Sequence, residues 1–218
     1  NLPLFSDLSP PELLRLAGGC QLRRFLRGES IFHVGQPCEE FHVTVTGQVK
    51  VFALSSAGQE KVIALAGPGV SFAEASVFTG EPYGVGAEAL ADTLLLTIGK
   101  AAVLAEIARD PNFALRMQAG VSRRIDALMD DVEAYALHSG LQRVISYLLH
   151  HLGGAQRDAM TISLPASKAT IASRLSVSPE YFSRKLHELE SAGLIGIEKK
   201  RAIRIHDSKR LQAYQAAA

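Results

Sequence analysis

Residues 167–189 read Ser167-Lys168-Ala169-Thr170-Ile171-Ala172-Ser173-Arg174-Leu175-Ser176-Val177-Ser178-Pro179-Glu180-Tyr181-Phe182-Ser183-Arg184-Lys185-Leu186-His187-Glu188-Leu189. Ser167 stands where a helix needs a side-chain acceptor for its free N–H groups. Lys168 to Leu175 then carries apolar residues at helical spacing. Ser176-Val177 makes a turn. Ser178 caps a second helix that opens Pro179-Glu180, with proline in a first turn that needs no donor. Ile171, Leu175, Phe182, Leu186 and Leu189 form a shared apolar face, and small Ala172 permits close approach. Two short helices across a tight turn predict a helix-turn-helix.

The second helix exposes Glu180, Ser183, Arg184 and Lys185 near its start. A helix that reads DNA needs donors and acceptors in its N-terminal turns, where it meets base edges in the major groove. Arg forks onto guanine O6 and N7, Glu accepts from cytosine N4, and Ser serves either base type. The bland alternative is a solvated charged face. Beyond this helix, Gly193 to Ile197 and Ala202 to Ile205 read as two strands around Glu198-Lys199-Lys200-Arg201. That predicts a hairpin with a basic tip. Lys199, Lys200 and Arg201, with Ser178 and Lys185, are candidate phosphate contacts, which supply salt-dependent affinity without base choice.

Charge supports the same division. The 218 residues hold 23 Lys plus Arg and 22 Asp plus Glu, a net +1 that argues weakly against nucleic acid. Residues 1–138 hold 11 basic and 16 acidic groups, a net −5, whereas residues 139–218 hold 12 and 6, a net +6. The basic half is the half with the helix-turn-helix. Two cysteines, Cys20 and Cys38, make no disulfide framework, suggest a reducing compartment, and are too few for a four-thiolate iron–sulfur cluster. No apolar run approaches the roughly 18 residues that span a bilayer. No signal peptide is expected.

Towards the N-terminus, Ser9 followed by Pro10 and Pro11 predicts a short opening helix. Strands are expected at Ser30–Val34, Phe41–Thr46, Val49–Phe52, Lys61–Leu65 and Thr93–Ile98. Their separation by glycine turns predicts a β-sandwich or barrel-like roll. From Pro111 the period changes. Val121, Ile125, Leu128, Val132 and Tyr135 are spaced 4, 3, 4, 3, the seam of a two-stranded coiled coil. β-branched residues at one seam position and Leu at the other favour a parallel dimer. Packing of this stripe onto its own roll is the competing expectation.

Together these residues resemble the Crp/Fnr family of bacterial transcription regulators over essentially the whole chain. Gly28-Glu29, Ile31-Phe32, Gly35-Gln36-Pro37, Gly47-Gln48-Val49-Lys50-Val51-Phe52 and Gly58 resemble its cyclic-nucleotide-binding β-roll. The seam resembles its dimer helix, and the C-terminal half its winged helix-turn-helix. The resemblance implies an α+β fold in three parts: a sensing roll over 1–105, a dimerisation helix and hinge over 106–138, and a DNA-binding domain over 139–218. Glu180, then two intervening residues, then Ser183-Arg184 resembles the Fnr-type reading motif, which implies a homodimer on a palindrome of TTGAT-like half-sites. It further implies RNA polymerase as a partner, a cytoplasmic location and no membrane. The hinge is expected near Leu137 to Gly140.

The effector pocket departs from cyclic-AMP receptors, whose roll carries a Gly-Glu pair and then an Arg-Ser pair for the cyclic phosphate. Here Phe72-Ala73-Glu74-Ala75 keeps the Glu, but Tyr83 and Gly84 stand where Arg and Ser are expected. Without a guanidinium the bidentate phosphate clamp is gone, which disfavours a cyclic nucleotide. Phe72, Glu74, Tyr83 and Gly84 are the candidate pocket residues. The segment from Phe72 to Tyr83 most resembles the Dnr/Nnr branch, which implies a response to nitric oxide or low oxygen, with haem as sensor. Haem needs an axial ligand, usually His. His33 and His42 are the N-terminal candidates, but a structural role is expected for His33, and His42 alternates away from Phe41 and Val43. His150-His151 suits a helix C-terminus. No haem ligand and no metal ligand is assigned. A regulator responding to a cyclic nucleotide or other small ligand, or to none, is the alternative.

An enzyme is the competing class. The sequence shows no nucleophile–base constellation, no phosphate loop with its Lys and no metal-ligand spacing, so no catalytic residue is expected. A module using the winged helix for protein contacts is a third class.

Overall fold

The computed structural model describes residue 5, residues 7–152 and residues 160–217, apart from the side chains at 120, 123, 124, 127 and 200. The chain divides into two units, residues 1–128 and 129–218, each with its own buried core.

In the first unit, Ser9 opens α1 (Pro10–Ala17). Two antiparallel four-stranded sheets follow. One runs in the order β1 (Cys20–Phe25), β8 (Thr93–Gly99), β3 (Glu40–Thr46), β6 (Ser71–Phe72). The other runs β2 (Ser30–Phe32), β7 (Gly86–Ala89), β4 (Val49–Leu54), β5 (Glu60–Ala66). A short helix, α2 (Glu74–Thr79), lies between β6 and β7. All five expected strands are present. The turn from β3 to β4 needs Gly47: its φ is +90°, and a Cβ there would meet the Thr93 side chain at 2.4 Å.

β3 is covered on both faces. Phe41 meets Phe5 with ring centroids 6.3 Å apart, while the next residue, His42, faces Phe32 and Phe72 of the roll interior. His42 thus does alternate away from Phe41 and Val43, but that side is core, not solvent. Sequence reading misses β1, the two-residue β6 and β7. β1 carries Arg23 and Arg24 on a solvated sheet edge, and Gly86-Ala87-Glu88-Ala89 has no β-branched or aromatic residue.

Two helices close this unit, α3 (Lys100–Arg109) and α4 (Pro111–Leu137). Asp110 between them is extended (φ −138°, ψ 103°), the conformation that a following proline imposes. The expected dimerisation segment 106–138 is therefore not one helix. It starts inside α3, breaks at Asp110 and restarts at Pro111.

The second unit holds the C-terminal end of α4 and then α5 (Gly140–His150), β9 (Met160–Ser163), α6 (Lys168–Arg174), α7 (Pro179–Ser191), β10 (Ile195–Ile197), β11 (Ala202–Ile205) and α8 (Ser208–Ala216). β10, β11 and β9 make an antiparallel sheet in that order, so the expected hairpin gains a third strand. Val144, Ile145, Leu148, Ile171, Phe182, Leu186 and Leu189 are fully buried in its core.

Ion pairs fasten the helices of the first unit. Arg15 bonds Glu106 at 2.7 Å, and Arg116 bonds both Glu12 and Asp110. The buried Glu12 carboxylate also accepts from the Ser9 hydroxyl at 2.5 Å and its backbone N–H at 2.8 Å. The Ser9 hydroxyl first, then the Ser9 N–H and Arg116, hold its pKa down at about 2 against an opposing desolvation. Glu12 therefore contributes stability that is complete above its ordinary 4.5 and lost as pH falls towards about 2. Glu12→Gln is expected to lower the melting temperature at pH 7 by several degrees. It should also remove that part of the acid-induced decline between these two values, as thermal melts across pH will show.

Candidate functional site

The two helices of the helix-turn-helix are set by their caps. The Ser167 hydroxyl accepts from Thr170 N at 3.1 Å, and the Ser178 hydroxyl from Tyr181 N at 3.1 Å. Between the helices Ser176 sits at φ +53°, a left-handed conformation that a non-glycine residue holds at a cost. Ile171 and Ala172 of α6, with Leu175 at its C-terminal cap, and Phe182, Leu186 and Leu189 of α7 are all buried. Burial of this face turns the other outward: Glu180 and Arg184 are exposed and Ser183 half-buried. The Glu180 backbone N–H and then the Ser178 hydroxyl hold the Glu180 carboxyl below its usual range, so at neutral pH it is an ionised acceptor. Ser178 itself is occupied as the cap of α7.

Arg184 has no ion pair among the described residues. Its guanidinium lies over the Tyr181 ring, 5.4 Å from the centroid. Lys185 is different. Its ammonium bonds Glu188 at 2.6 Å, which weakens its case as a free phosphate contact. Lys199, Lys200 and Arg201 form a 3₁₀ turn at the hairpin tip rather than an open loop. Lys199 and Arg201 are exposed, Arg201 at φ +66°; the Lys200 side chain lies outside the described residues. The Arg201 carbonyl accepts from Leu164 N at 3.0 Å, and Glu190 of α7 accepts from Ile197 N at 2.9 Å. The hairpin is thereby bonded to α7. Exposed Arg204 on β11, between buried Ile203 and Ile205, adds a cation that sequence reading passed over.

Along α4 the expected seam splits in character. Ile125 (53%), Leu128 (39%) and Val132 (58%) are exposed, large apolar groups. Val121 is half-buried against the first unit's core. Tyr135 turns onto its own helix-turn-helix: its hydroxyl donates to the Arg174 carbonyl at 2.5 Å, and the Arg174 guanidinium bonds the Tyr135 hydroxyl and Asp131. Its hydroxyl is thus committed within the chain.

The expected hinge at Leu137 to Gly140 is also a structured joint. Ser139 caps α5, giving its N–H to Gln142 Oε1 at 2.8 Å and accepting from Gln142 N at 3.2 Å. Gly140 is the first residue of that helix. A Cβ there would lie 2.8 Å from the Tyr181 ring and hydroxyl, so glycine serves close packing rather than flexure.

Inside the roll, Phe72, Glu74 and Tyr83 are buried, and Gly84 is exposed. Tyr83 stacks on Phe32 at a centroid distance of 3.9 Å, and its hydroxyl donates to the Glu40 carbonyl at 2.6 Å. Glu74 accepts from the Ser71 hydroxyl at 3.2 Å. Ala73, before α2, sits at φ +69°, where a Gly would be unstrained. His42 shares a 3.0 Å hydrogen bond with Thr97 Oγ1 and lies 5.7 Å from Phe32 and 5.2 Å from Phe72. Burial first, and the Arg23 charge second, push its imidazole down to about 3, so it is neutral at physiological pH. A haem does not fit this packing. Phe32, His42, Phe72 and Tyr83 occupy the interior against one another, and a macrocycle would have to part the stack. His33 is exposed, with Nδ1 3.4 Å from the Ser30 hydroxyl. His151 Nδ1–H donates to the Tyr147 carbonyl at 2.8 Å, as a helix C-terminus allows. Among the described residues no cluster of His, Cys, Asp and Glu has metal-holding geometry. No described helix is long and apolar enough to cross a membrane.

Residues 22–110 match the family described as "Cyclic nucleotide-binding domain", and residues 142–214 match "Crp-like helix-turn-helix domain". The chain is 29% identical over 193 residues to the cyclic AMP receptor protein of Thermus thermophilus, covering 88% of each chain. The structure of FixK2 from Bradyrhizobium japonicum superposes with a TM-score of 0.81 at 25% identity, covering 91% of this chain and 98% of that one. DNR from Pseudomonas aeruginosa is 31% identical, with a TM-score of 0.53, covering 97% and 93%.

A buried neutral His42 makes folding acid-sensitive. Unfolded, the imidazole takes a proton at its ordinary 6.5; folded, only at about 3. The unfolded state binds more protons between those values, so stability falls as pH falls through that window. His42→Leu is expected to flatten this part of the decline in denaturant titrations. An unchanged slope would show that His42 is not the proton acceptor.

Proposed function

The chain belongs to the Crp/Fnr family of DNA-binding transcription regulators, and on that premise we propose that it acts as a homodimer on a palindromic operator with TTGAT-like half-sites. Membership makes it a regulator rather than an enzyme. The observation that carries the proposal is the outward face of α7. Glu180, Ser183 and Arg184 stand together on a helix whose other face is buried, beside a hairpin with exposed Lys199 and Arg201. Arg184 forks onto guanine, Glu180 accepts from cytosine N4, and Ser183 completes the reading set. Lys199, Lys200 and Arg201 bind phosphate and fix the register.

The exposed Ile125, Leu128 and Val132 support a second copy packing along α4. Two-fold protein symmetry asks for two-fold DNA symmetry, with half-sites about 34 Å apart. Contact with RNA polymerase and a cytoplasmic location go with this reading.

For the signal we propose nitric oxide or low oxygen, in keeping with the resemblance to the Dnr/Nnr branch and the likeness to DNR. A cyclic nucleotide is the competing ligand, favoured by the name of the Thermus relative. Tyr83 argues against it: where a phosphate clamp is needed the chain places a buried ring bonded to Glu40. Haem is the sensor that the branch implies, and titration tests it against the packing. No saturable one-to-one Soret band is expected; such a band would establish haem binding and overturn the inference from this packing.

Arg184→Ala is expected to cost about 1–3 kcal/mol of operator affinity and to relax choice at one base pair. Binding should weaken linearly in log–log plots against salt, with a slope near −0.9 per phosphate neutralised. Competition binding with single-base operator variants measures the first and titrations at several salt concentrations the second. A variant as tight and selective as the parent would remove the base-reading assignment. Salt-insensitive binding would favour a protein-contact module.

A further inference from the structure

We propose that Tyr181 is a positioning residue for Arg184, holding its guanidinium for base contact, and that Gly140 at the start of α5 sets the ring in place. This rests on the reading of Arg184 as a base contact. Tyr181 precedes Arg184 by three residues and Lys185 by four on α7, spacings that share a helix face. The Arg184 guanidinium carbon is 5.4 Å from the Tyr181 ring centroid, and the Lys185 ammonium nitrogen is 5.6 Å from it.

The two cations are held differently. Lys185 is tied to the Glu188 carboxylate at 2.6 Å, whereas Arg184 pairs with no carboxylate among the described residues. The ring face is therefore the contact that restrains Arg184. An exposed arginine samples many rotamers, and freezing them opposes binding. A fork onto guanine needs the guanidinium plane presented edge-on to O6 and N7. Stacking on an aromatic face narrows the ensemble towards such poses before DNA arrives.

The ring is braced in turn. A Cβ at position 140 would stand 2.8 Å from Tyr181 Cε1 and its hydroxyl, and 2.9 Å from Cζ. The ring occupies space that only glycine leaves open. The backbone at that point is fixed by the reciprocal Ser139–Gln142 bonds that start α5. Two residues, His138 and Ser139, separate α4 from α5, with His138 N still bonded to the Ala134 carbonyl at 3.1 Å. The joint between those helices thus reaches the base-reading arginine through one side chain. The buried α6–α7 core takes its aromatic group from neighbouring Phe182, not from Tyr181.

The test compares the full chain's dissociation constants for a duplex bearing the TTGAT-type palindrome and a scrambled duplex of equal composition. Tyr181→Leu is expected to lower the ratio of specific to non-specific affinity roughly two- to five-fold, the range a partly exposed cation–π contact supports. Tyr181→Phe keeps the ring and should match the parent. Gly140→Ala evicts the ring and should reproduce the Leu variant. In an Arg184→Ala background, Tyr181→Leu should change the ratio no further, because the partner it positions is gone. Circular dichroism melts establish that each variant folds. A Phe variant as impaired as the Leu variant would overturn the proposal in favour of a hydroxyl contact. So would additive effects of the two substitutions. If Arg184→Ala alone left the ratio unchanged, the base reading itself would fall, and this proposal with it.

Discussion

Arg174 closes α6 and holds the end of α4 against it. Its guanidinium bonds the Asp131 carboxylate and the Tyr135 hydroxyl, and its carbonyl accepts from that same hydroxyl. The group is partly buried, so deleting one member would leave a partly desolvated charge or donor without this partner, a larger loss than that of a fully exposed pair. Arg143 also meets this joint: its guanidinium carbon lies 5.8 Å from the Tyr135 ring centroid, and it donates to the Ser176 carbonyl at 3.4 Å. The turn of the helix-turn-helix is thus approached from both α4 and α5. From there the apolar contacts of α6 with α7 fix the rotation of α7. Each fully buried Leu, Ile or Phe contributes about 1.5–3 kcal/mol. Outward presentation of Glu180, Ser183 and Arg184 follows from that burial.

The first unit obeys another constraint. Its central strand, β3, is covered on both faces, so a polar residue there must be neutral or bonded. His42 is both: neutral down to about pH 3 and bonded to Thr97. The same packing shapes the sensor question. Tyr83, which the resemblance places where cyclic-AMP receptors carry an arginine, is a core ring stacked on Phe32 in an aromatic interior. A signal that acts here must do so by parting or reshaping that stack, which gives differential binding to two packings a physical meaning.

The helix-turn-helix was legible because its signals are local. Caps at Ser167 and Ser178, proline at the start of α7, and 3.6-residue apolar spacing sit within 23 residues, and the structure places each as expected. Strands with strong alternation were legible for the same reason. β1 and β7 were not, since one is charged and edge-like and the other built of small residues. Tyr135 shows the limit of periodicity. Its place in a heptad is a property of the helix alone, whereas its hydroxyl answers to Arg174, 39 residues away. Gly140 shows the limit of composition. Glycine between helices reads as flexibility, but the space it leaves is taken by Tyr181, 41 residues on. Lys185 reads as a free cation until Glu188 is seen beside it.

The most direct measurement of base reading by α7 is dimethyl sulfate protection of guanine N7 on a TTGAT-type palindrome saturated with the protein. Arg184 contacting the major groove of each half-site should protect the guanine of both, symmetrically, at the atom the reagent attacks. Guanines that stay fully reactive in a saturated complex would contradict it.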